Sequence, residues 1–163
     1  MKKQSSTRIL AALGCIFLFA TIGCNSQDPV SYNNKIMDVL NGSTDDMDAL
    51  NDAMVKEDYS AAETVRKSWE AKLVKASETL KGIGDFKGNS DFKNTAVKAI
   101  DSYKNSVSND YKQLIELRTS LKAGTKVDEG KIDTLLNKIN QDFEKAANEL
   151  NAASDKFEKD FNK

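Results

Sequence analysis

The sequence contains few of the side chains that catalyse reactions or bind metal ions. Its 163 residues include no His, which removes the commonest general base and the usual ligand of zinc, haem and non-haem iron. The two thiols belong to Cys15 and Cys24. Asp45, Asp46 and Asp48 lack the spacing of a calcium-binding loop, so they indicate an acidic helix surface. We therefore expect no enzyme, no catalytic residue, no metal and no non-covalent cofactor.

The first residues have the pattern of a secretory signal. Three basic residues, Lys2, Lys3 and Arg8, precede an uncharged and largely apolar run of 14 residues from Ile9 to Ile22. A helix that spans a bilayer needs about 20 such residues, so the run is too short to span one comfortably. Its length is typical of the apolar part of a signal peptide, which is removed from the mature protein. The alternative is a membrane anchor that is retained.

The residues that follow resemble the lipobox of bacterial lipoproteins. The match is Thr21-Ile22-Gly23-Cys24, with Thr where Leu is usual, as in the looser boxes of spirochaetes and Bacteroidetes. The resemblance implies that the signal peptidase recognises Thr21, Ile22 and Gly23 and cuts after Gly23. It also implies that the Cys24 thiol receives a diacylglyceryl group and that the new amine is acylated. Cys15 lies inside the apolar run, with no polar sequence directly after it.

This resemblance predicts where the mature protein would be. Two or more acyl chains give stable membrane attachment where a single chain does not. In such lipoproteins an Asp directly after the Cys tends to retain the protein in the inner membrane. This chain has Asn25 there. We therefore expect a lipid-anchored protein of the bacterial cell envelope, in the outer membrane, on either its periplasmic or its outer face.

The predicted mature chain, residues 24–163, is acidic. Loss of residues 1–23 removes three of the 24 basic residues, so 21 remain against 25 acidic ones, a formal charge of −4. A protein with this charge would not neutralise phosphates in bulk, so we expect no nucleic-acid partner. With Cys24 acylated there would be no disulfide, and 140 residues are enough to bury a core without one. Residues 24–28 would be a short tether.

The remainder, residues 29–163, has helical periodicity throughout. Apolar residues recur every three or four positions in four segments, at about 29–56, 60–83, 90–122 and 128–161. Long helices joined by short loops pack as antiparallel neighbours. The fold class that we predict is therefore all-α, an antiparallel up-down-up-down four-helix bundle.

Several local patterns predict how these helices begin and whether they are continuous. Asp28 before Pro29 is an N-cap signature, and Ser60 with Glu63 has the spacing of a capping box. Gly42 could divide the first segment, but its apolar register continues across that point. We therefore predict a kink there at most. The register is formed by Ile36, Leu40, Ser43, Met47, Leu50 and Met54.

Aromatic residues are the most distinctive feature of the predicted bundle. A stripe of them either forms core, which we favour, or lines a ligand cavity; it comprises Trp69, Tyr103, Tyr111, Phe143 and Phe157. Phe86 lies between turn residues and belongs to no stripe. It either plugs the end of the bundle, which we favour, or is an exposed residue that contacts a partner.

Taken whole, the chain resembles small helical surface lipoproteins of unknown function in spirochaetes and Bacteroidetes. The features that support this are the lipobox and three short motifs, Tyr32-Asn33-Asn34-Lys35, Gly84-Asp85-Phe86-Lys87-Gly88 and Tyr103-Lys104. The resemblance implies neither an activity nor catalytic residues.

We expect a binding function, for a protein of the envelope, an extracellular molecule or a small apolar ligand. Two alternatives are a structural spacer and a periplasmic carrier or chaperone for an apolar ligand. The spacer would be joined to peptidoglycan through Lys163, as in the short murein-linked lipoprotein.

Overall fold

A computed structural model describes residues 28–42 and 44–161 of the protein. The described residues form helices and short turns, without a regular strand. In chain order the helices are α1 (Pro29–Asn41), α2 (Thr44–Val55), α3 (Tyr59–Gly82), α4 (Asp91–Asn105), a π-helical segment (Ser106–Tyr111), α5 (Lys112–Lys122) and α6 (Glu129–Phe161). Within these two ranges, no helix is both long enough and apolar enough to cross a lipid bilayer.

The helices form four stretches that match the predicted segments to within two residues at each end. The all-α prediction is therefore confirmed. The prediction of at most a kink in the first stretch is wrong, because α1 ends at Asn41 and α2 begins at Thr44. Gly42 ends α1, and its N–H donates to the carbonyl of Asp38 at 3.1 Å. Gly has a low helix propensity, and the acidic pair Asp45 and Asp46 favours a new helix N-terminus.

Asp side chains cap the helices of the first two stretches. Asp28 accepts a hydrogen bond from the N–H of Ser31 at 2.9 Å, as predicted. In the second stretch the predicted capping box is wrong. Asp58 is the cap there, and it accepts from the N–H of Ala61 at 2.9 Å. The Glu63 carboxylate instead accepts hydrogen bonds from the guanidinium of Arg66, which is a stronger donor than a backbone amide.

Contacts between distant residues join the ends of the helices. The Tyr32 hydroxyl donates to the carbonyl of Gly84 at 3.0 Å, and Lys156 pairs with Asp91 at 3.2 Å. These contacts bring the start of α1, the α3–α4 loop and the end of α6 together. At the other end, Lys122 donates to the carbonyl of Glu57 at 2.8 Å. That bond joins the end of α5 to the α2–α3 turn.

One hydrophobic core includes side chains from every helix. Its largest fully buried members include Phe86, Phe92, Ile36 and Leu73. Helix α1 packs against α3, α4 and α6. Helix α2 packs mainly on α3 and has little contact with α6. A seam between α2 and α6 therefore remains open.

The third stretch contains a π-helical segment, Ser106–Tyr111. A π-helix has wider turns than an α-helix, and short ones are frequent at functional sites. Here the neighbouring helices hold it on two sides. From α3, Arg66 donates to the carbonyl of Val107 at 3.3 Å. From α6, Lys138 pairs with the buried Asp110 at 2.6 Å.

Candidate ligand-binding cavity

A cavity of about 400 Å³ opens at the interruption between α1 and α2. The end of α1 and the start of α2 form one side, and α6 forms the other. Trp69 of α3 and Tyr103 of α4 also line it. The cavity exists because α2 packs against α3 and has little contact with α6.

An aromatic wall, which we define as Trp69, Tyr103 and Phe143, bounds the inner side of the cavity. The rings of Tyr103 and Phe143 are 4.7 Å apart between centroids and tilted by only 13°. Those of Trp69 and Phe143 are 6.0 Å apart and tilted by 23°. Aromatic pairs at these separations attract each other beyond the effect of area burial alone. The wall is thus a fixed surface.

Other apolar side chains complete the cavity. They come from α1, α2 and α6 and include Met37, Leu40, Met47 and Leu150. Methionine is flexible and polarisable, so it adapts to ligands of different shape. The composition of the lining, mostly apolar with few polar groups, is usual for a small-molecule site.

Three polar side chains, Asn41, Thr44 and Glu144, also line the cavity. All three residues are exposed, which places them at its mouth. The indole N–H of Trp69 is buried and makes no hydrogen bond to the described residues. Leaving a buried donor unpaired costs about 1–3 kcal/mol. In a folded protein such a donor requires a particular explanation.

A charged network lies on α3 on either side of Trp69 in the sequence. Arg66, one turn before Trp69 on α3, is 4% exposed and contacts two carboxylates. It donates to Glu63 at 2.7 and 2.9 Å and to Glu70 at 2.8 Å. Glu70 also accepts from the hydroxyl of Ser108 at 2.7 Å. The network therefore connects α3 to the π-helical segment.

Hydrogen bonds in this network lower the pKa values of both carboxyl groups. The bond from Arg66 is the main cause for Glu63. For Glu70 the main cause is the bond from Ser108, with Arg66 adding to it. Burial raises the pKa of the Tyr103 hydroxyl in the aromatic wall, because ionisation there would place a charge in an apolar setting.

A second cavity of about 380 Å³ lies further along the open seam between α2 and α6. Tyr111 and Tyr59 line it together with the charged residues Glu57 and Arg118. Its lining is more mixed than that of the first cavity, which makes it less suitable for an apolar molecule. The seam between α2 and α6 thus widens at two places. The cavity beside the start of α2 contains the aromatic wall, and the other cavity lies beside the end of α2.

The aromatic stripe divides between the two predicted roles. Trp69, Tyr111 and Phe157 are buried, as core residues are. Tyr103 and Phe143 are only half-buried, and both line the first cavity together with Trp69. Tyr111 also lines the second cavity. The stripe therefore combines both predicted roles, with buried residues that also line cavities.

Phe86 is fully buried, so it plugs the end of the bundle. Its ring lies 5.0 Å from that of Phe157 and 5.1 Å from that of Tyr32. The alternative, an exposed residue that contacts a partner, is wrong, because the side chain has no surface to offer. A tight turn places it, with positive φ at Lys87 and at Gly88. Such a pair of φ angles is typical of a type I′ turn.

The predicted lipidation residues, Thr21, Ile22, Gly23 and Cys24, lie outside the described residues, as does Lys163. Sequence reasoning did not single out Glu144, the charged residue at the cavity mouth. The only signal in the sequence is that no Lys or Arg occurs three or four positions from it.

Across the part of the chain that the structure describes, no group of three or more Cys, Asp or Glu residues could hold a metal ion. Comparisons with family models, with curated proteins and with solved structures find no match for this chain.

Proposed function

We propose that the protein is a non-enzymatic, lipid-anchored protein of the bacterial cell envelope whose helical bundle binds a small, mainly apolar molecule. The observation that supports binding is the cavity beside Trp69. Its volume of about 400 Å³ falls within the usual range of small-molecule sites, roughly 300–1,000 Å³. The cavity lining, mostly apolar with three polar residues at the mouth, is a second feature that supports binding.

The proposed anchor is the acylated Cys24, and its support is the sequence Thr21-Ile22-Gly23-Cys24 after a signal-like segment. The first helix begins at Pro29, capped by Asp28. Only a few residues would therefore separate the lipid from the bundle.

We also propose that the four stretches alternate in direction, as an up-down-up-down bundle. The contacts at the helix ends support this arrangement. The bond from Tyr32 to Gly84 and the pair of Lys156 with Asp91 connect one set of ends. The bond from Lys122 to Glu57 connects the opposite set. Short connections between long helices favour the same topology.

Fluorescence of Trp69 tests the proposed binding, because it is the only Trp in the chain. The full-length protein in phosphatidylcholine vesicles is titrated with 1-bromonaphthalene, a neutral aromatic quencher. We expect saturable quenching. Ala147→Phe adds a ring to a cavity-lining position and should weaken the apparent affinity about tenfold, or about 1.4 kcal/mol.

Ala152→Phe is the matched control, since Ala152 is exposed on the same helix. This variant should bind the quencher as the unmodified protein does. Quenching that does not saturate, or that is equally strong in Ala147→Phe, would show that the cavity is not a binding site.

A further inference from the structure

We infer that the cavity selects a cationic amphiphile, a molecule with an apolar body and one ammonium group, and that Glu144 contacts the ammonium. This inference rests on the proposed function and specifies the chemical class of its ligand. The observations behind it are the charge of the lining, the lack of a partner for Glu144 and the aromatic wall.

Glu144 is the only charged residue among the described residues that line the cavity. The other polar ones, Asn41 and Thr44, are neutral. Glu144 therefore places a negative charge at the mouth, and this charge favours a ligand of positive charge.

Among the residues that the structure describes, no cation forms a salt bridge with this carboxylate. On a helix, ion-pair partners lie three or four positions apart. Around Glu144 these positions hold Asn140, Gln141, Ala147 and Asn148. No side-chain nitrogen of a described Lys or Arg, including the adjacent Lys145, lies within 4.0 Å of its carboxylate oxygens. By contrast, Asp142, two residues earlier, pairs with Lys138 at 2.9 Å.

The apolar part of the ligand has a place beside this charge. Met37, Met47 and Leu150 offer surface for an alkyl or aryl group. The aromatic wall adds the half-buried rings of Tyr103 and Phe143, and aromatic rings attract ammonium groups. A site with one carboxylate and several rings suits an ammonium group better than a neutral polar group.

An anionic amphiphile of the same length would be disfavoured. Its head group would approach Glu144, and none of the described residues that line the cavity is a cation that could compensate. A neutral alcohol would avoid this repulsion but would gain no attraction. The expected order of affinity is therefore cation, then alcohol, then carboxylate.

The test compares three competitors that differ only in the head group. Decyltrimethylammonium, decanol and decanoate each displace 1-bromonaphthalene from the full-length protein in phosphatidylcholine vesicles, with recovery of Trp69 fluorescence as the readout. We expect decyltrimethylammonium to be about three- to tenfold more potent than decanol, the range for a partly exposed ion pair with ring contacts. Decanoate should be the weakest.

Glu144→Gln removes the charge and keeps the shape, so it should abolish the preference for the ammonium. Glu149→Gln is the matched control, because Glu149 is exposed on another face of α6 and its loss changes the net charge equally. That variant should retain the preference.

The outcomes separate the two proposals. If 1-bromonaphthalene does not bind, the proposed function fails. If it binds but decanoate competes as well as the ammonium, the inference about Glu144 fails alone. The inference also fails if Glu144→Gln and Glu149→Gln have the same effect.

Discussion

Arg66 is the most buried charged residue among those that the structure describes. Its guanidinium is almost fully buried, yet two carboxylates and the carbonyl of Val107 accept its hydrogen bonds. Removing a buried cation leaves its partners unpaired, which costs more than the pair itself contributes. Here Glu63 and Glu70 would repel each other.

Arg66→Met should therefore lower the free energy of unfolding by about 2–3 kcal/mol at pH 7, the value typical of hydrogen bonds to charged groups. The loss should depend on pH. Because Glu63 and Glu70 have pKa values below their usual 4.5, they stabilise the folded state above that pH. Their contribution disappears as the pH falls through the lowered values. The difference between the variant and the unmodified protein should thus narrow in acid.

Urea unfolding at several pH values measures this difference. Lys67→Met is the control: it removes a cation from the next residue of α3, which is exposed and pairs with Glu63 at only 3.5 Å. We expect a change within about 0.5 kcal/mol there. If the loss of unfolding free energy in Arg66→Met does not vary with pH, the stability comes from the packing of Arg66 and not from its bonds to the carboxylates.

For single residues, the sequence predicted one helix cap correctly and another wrongly. Asp28 was predicted correctly because its role depends only on neighbouring residues. The prediction for Ser60 and Glu63 failed because Arg66, which a capping-box pattern ignores, competes for the carboxylate. Glu144 lines the cavity together with α2 and Tyr103, which are distant in the chain. Its lack of a nearby cation was visible in the sequence, but its place in a cavity was not.

At the scale of a helix, α3 offers a direct test of the buried face. Leu73 is fully buried, whereas its neighbour Val74 is 42% exposed. Leu73→Ala should lower the free energy of unfolding by about 2–5 kcal/mol, because it removes buried methyl groups and leaves a void. Val74→Ala should change it by about 0.5 kcal/mol or less.

Thermal or urea unfolding of the two variants measures both changes. Similar small effects at the two positions would contradict the orientation of α3 in the bundle. Similar large effects would mean that a partner or a second copy covers Val74 in solution.

The four helical stretches were predictable because their apolar residues recur at a helical period over 24 or more positions. The break at Gly42 was not, because Gly42 keeps helical φ and ψ values of −63° and −4°. Such a residue hardly disturbs the register on either side. Ser43, which the predicted register includes, lies outside the described residues.

The π-helical segment also went unpredicted, although its sequence contains a signal. From this segment into the start of α5, buried residues occur as adjacent pairs four positions apart, Ser106-Val107, Asp110-Tyr111 and Leu114-Ile115. A spacing of four exceeds the 3.6 residues of an α-helical turn and suits a wider one. Two members, Ser106 and Asp110, are polar, so a search for apolar periodicity passes over them.

For the whole molecule, the proposed anchor makes a prediction that depends on one atom, the sulfur of Cys24. Cys24→Ser should abolish labelling with radioactive palmitate and release the protein from the membrane fraction or leave it unprocessed. Two or more acyl chains are needed for stable attachment, so their loss cannot be offset by the short tether.

Cys15→Ser is the matched control, since it removes the other thiol of the chain. This variant should be labelled and should remain in the membrane fraction. Palmitate labelling that survives in Cys24→Ser would overturn the proposed anchor and leave the ligand-binding proposal intact.

Helix α6 is unbroken over 33 residues, which gives it a length of about 50 Å. Glu144 lies near its middle, about 25 Å from the end that packs beside the start of α1. If residues 24–28 tether that end to a bilayer and α6 stands along the membrane normal, the mouth of the cavity is well above the lipid head groups. A ligand would then arrive through water instead of sliding in from the membrane. Its exchange would depend on its solubility in water as much as on its affinity for lipid.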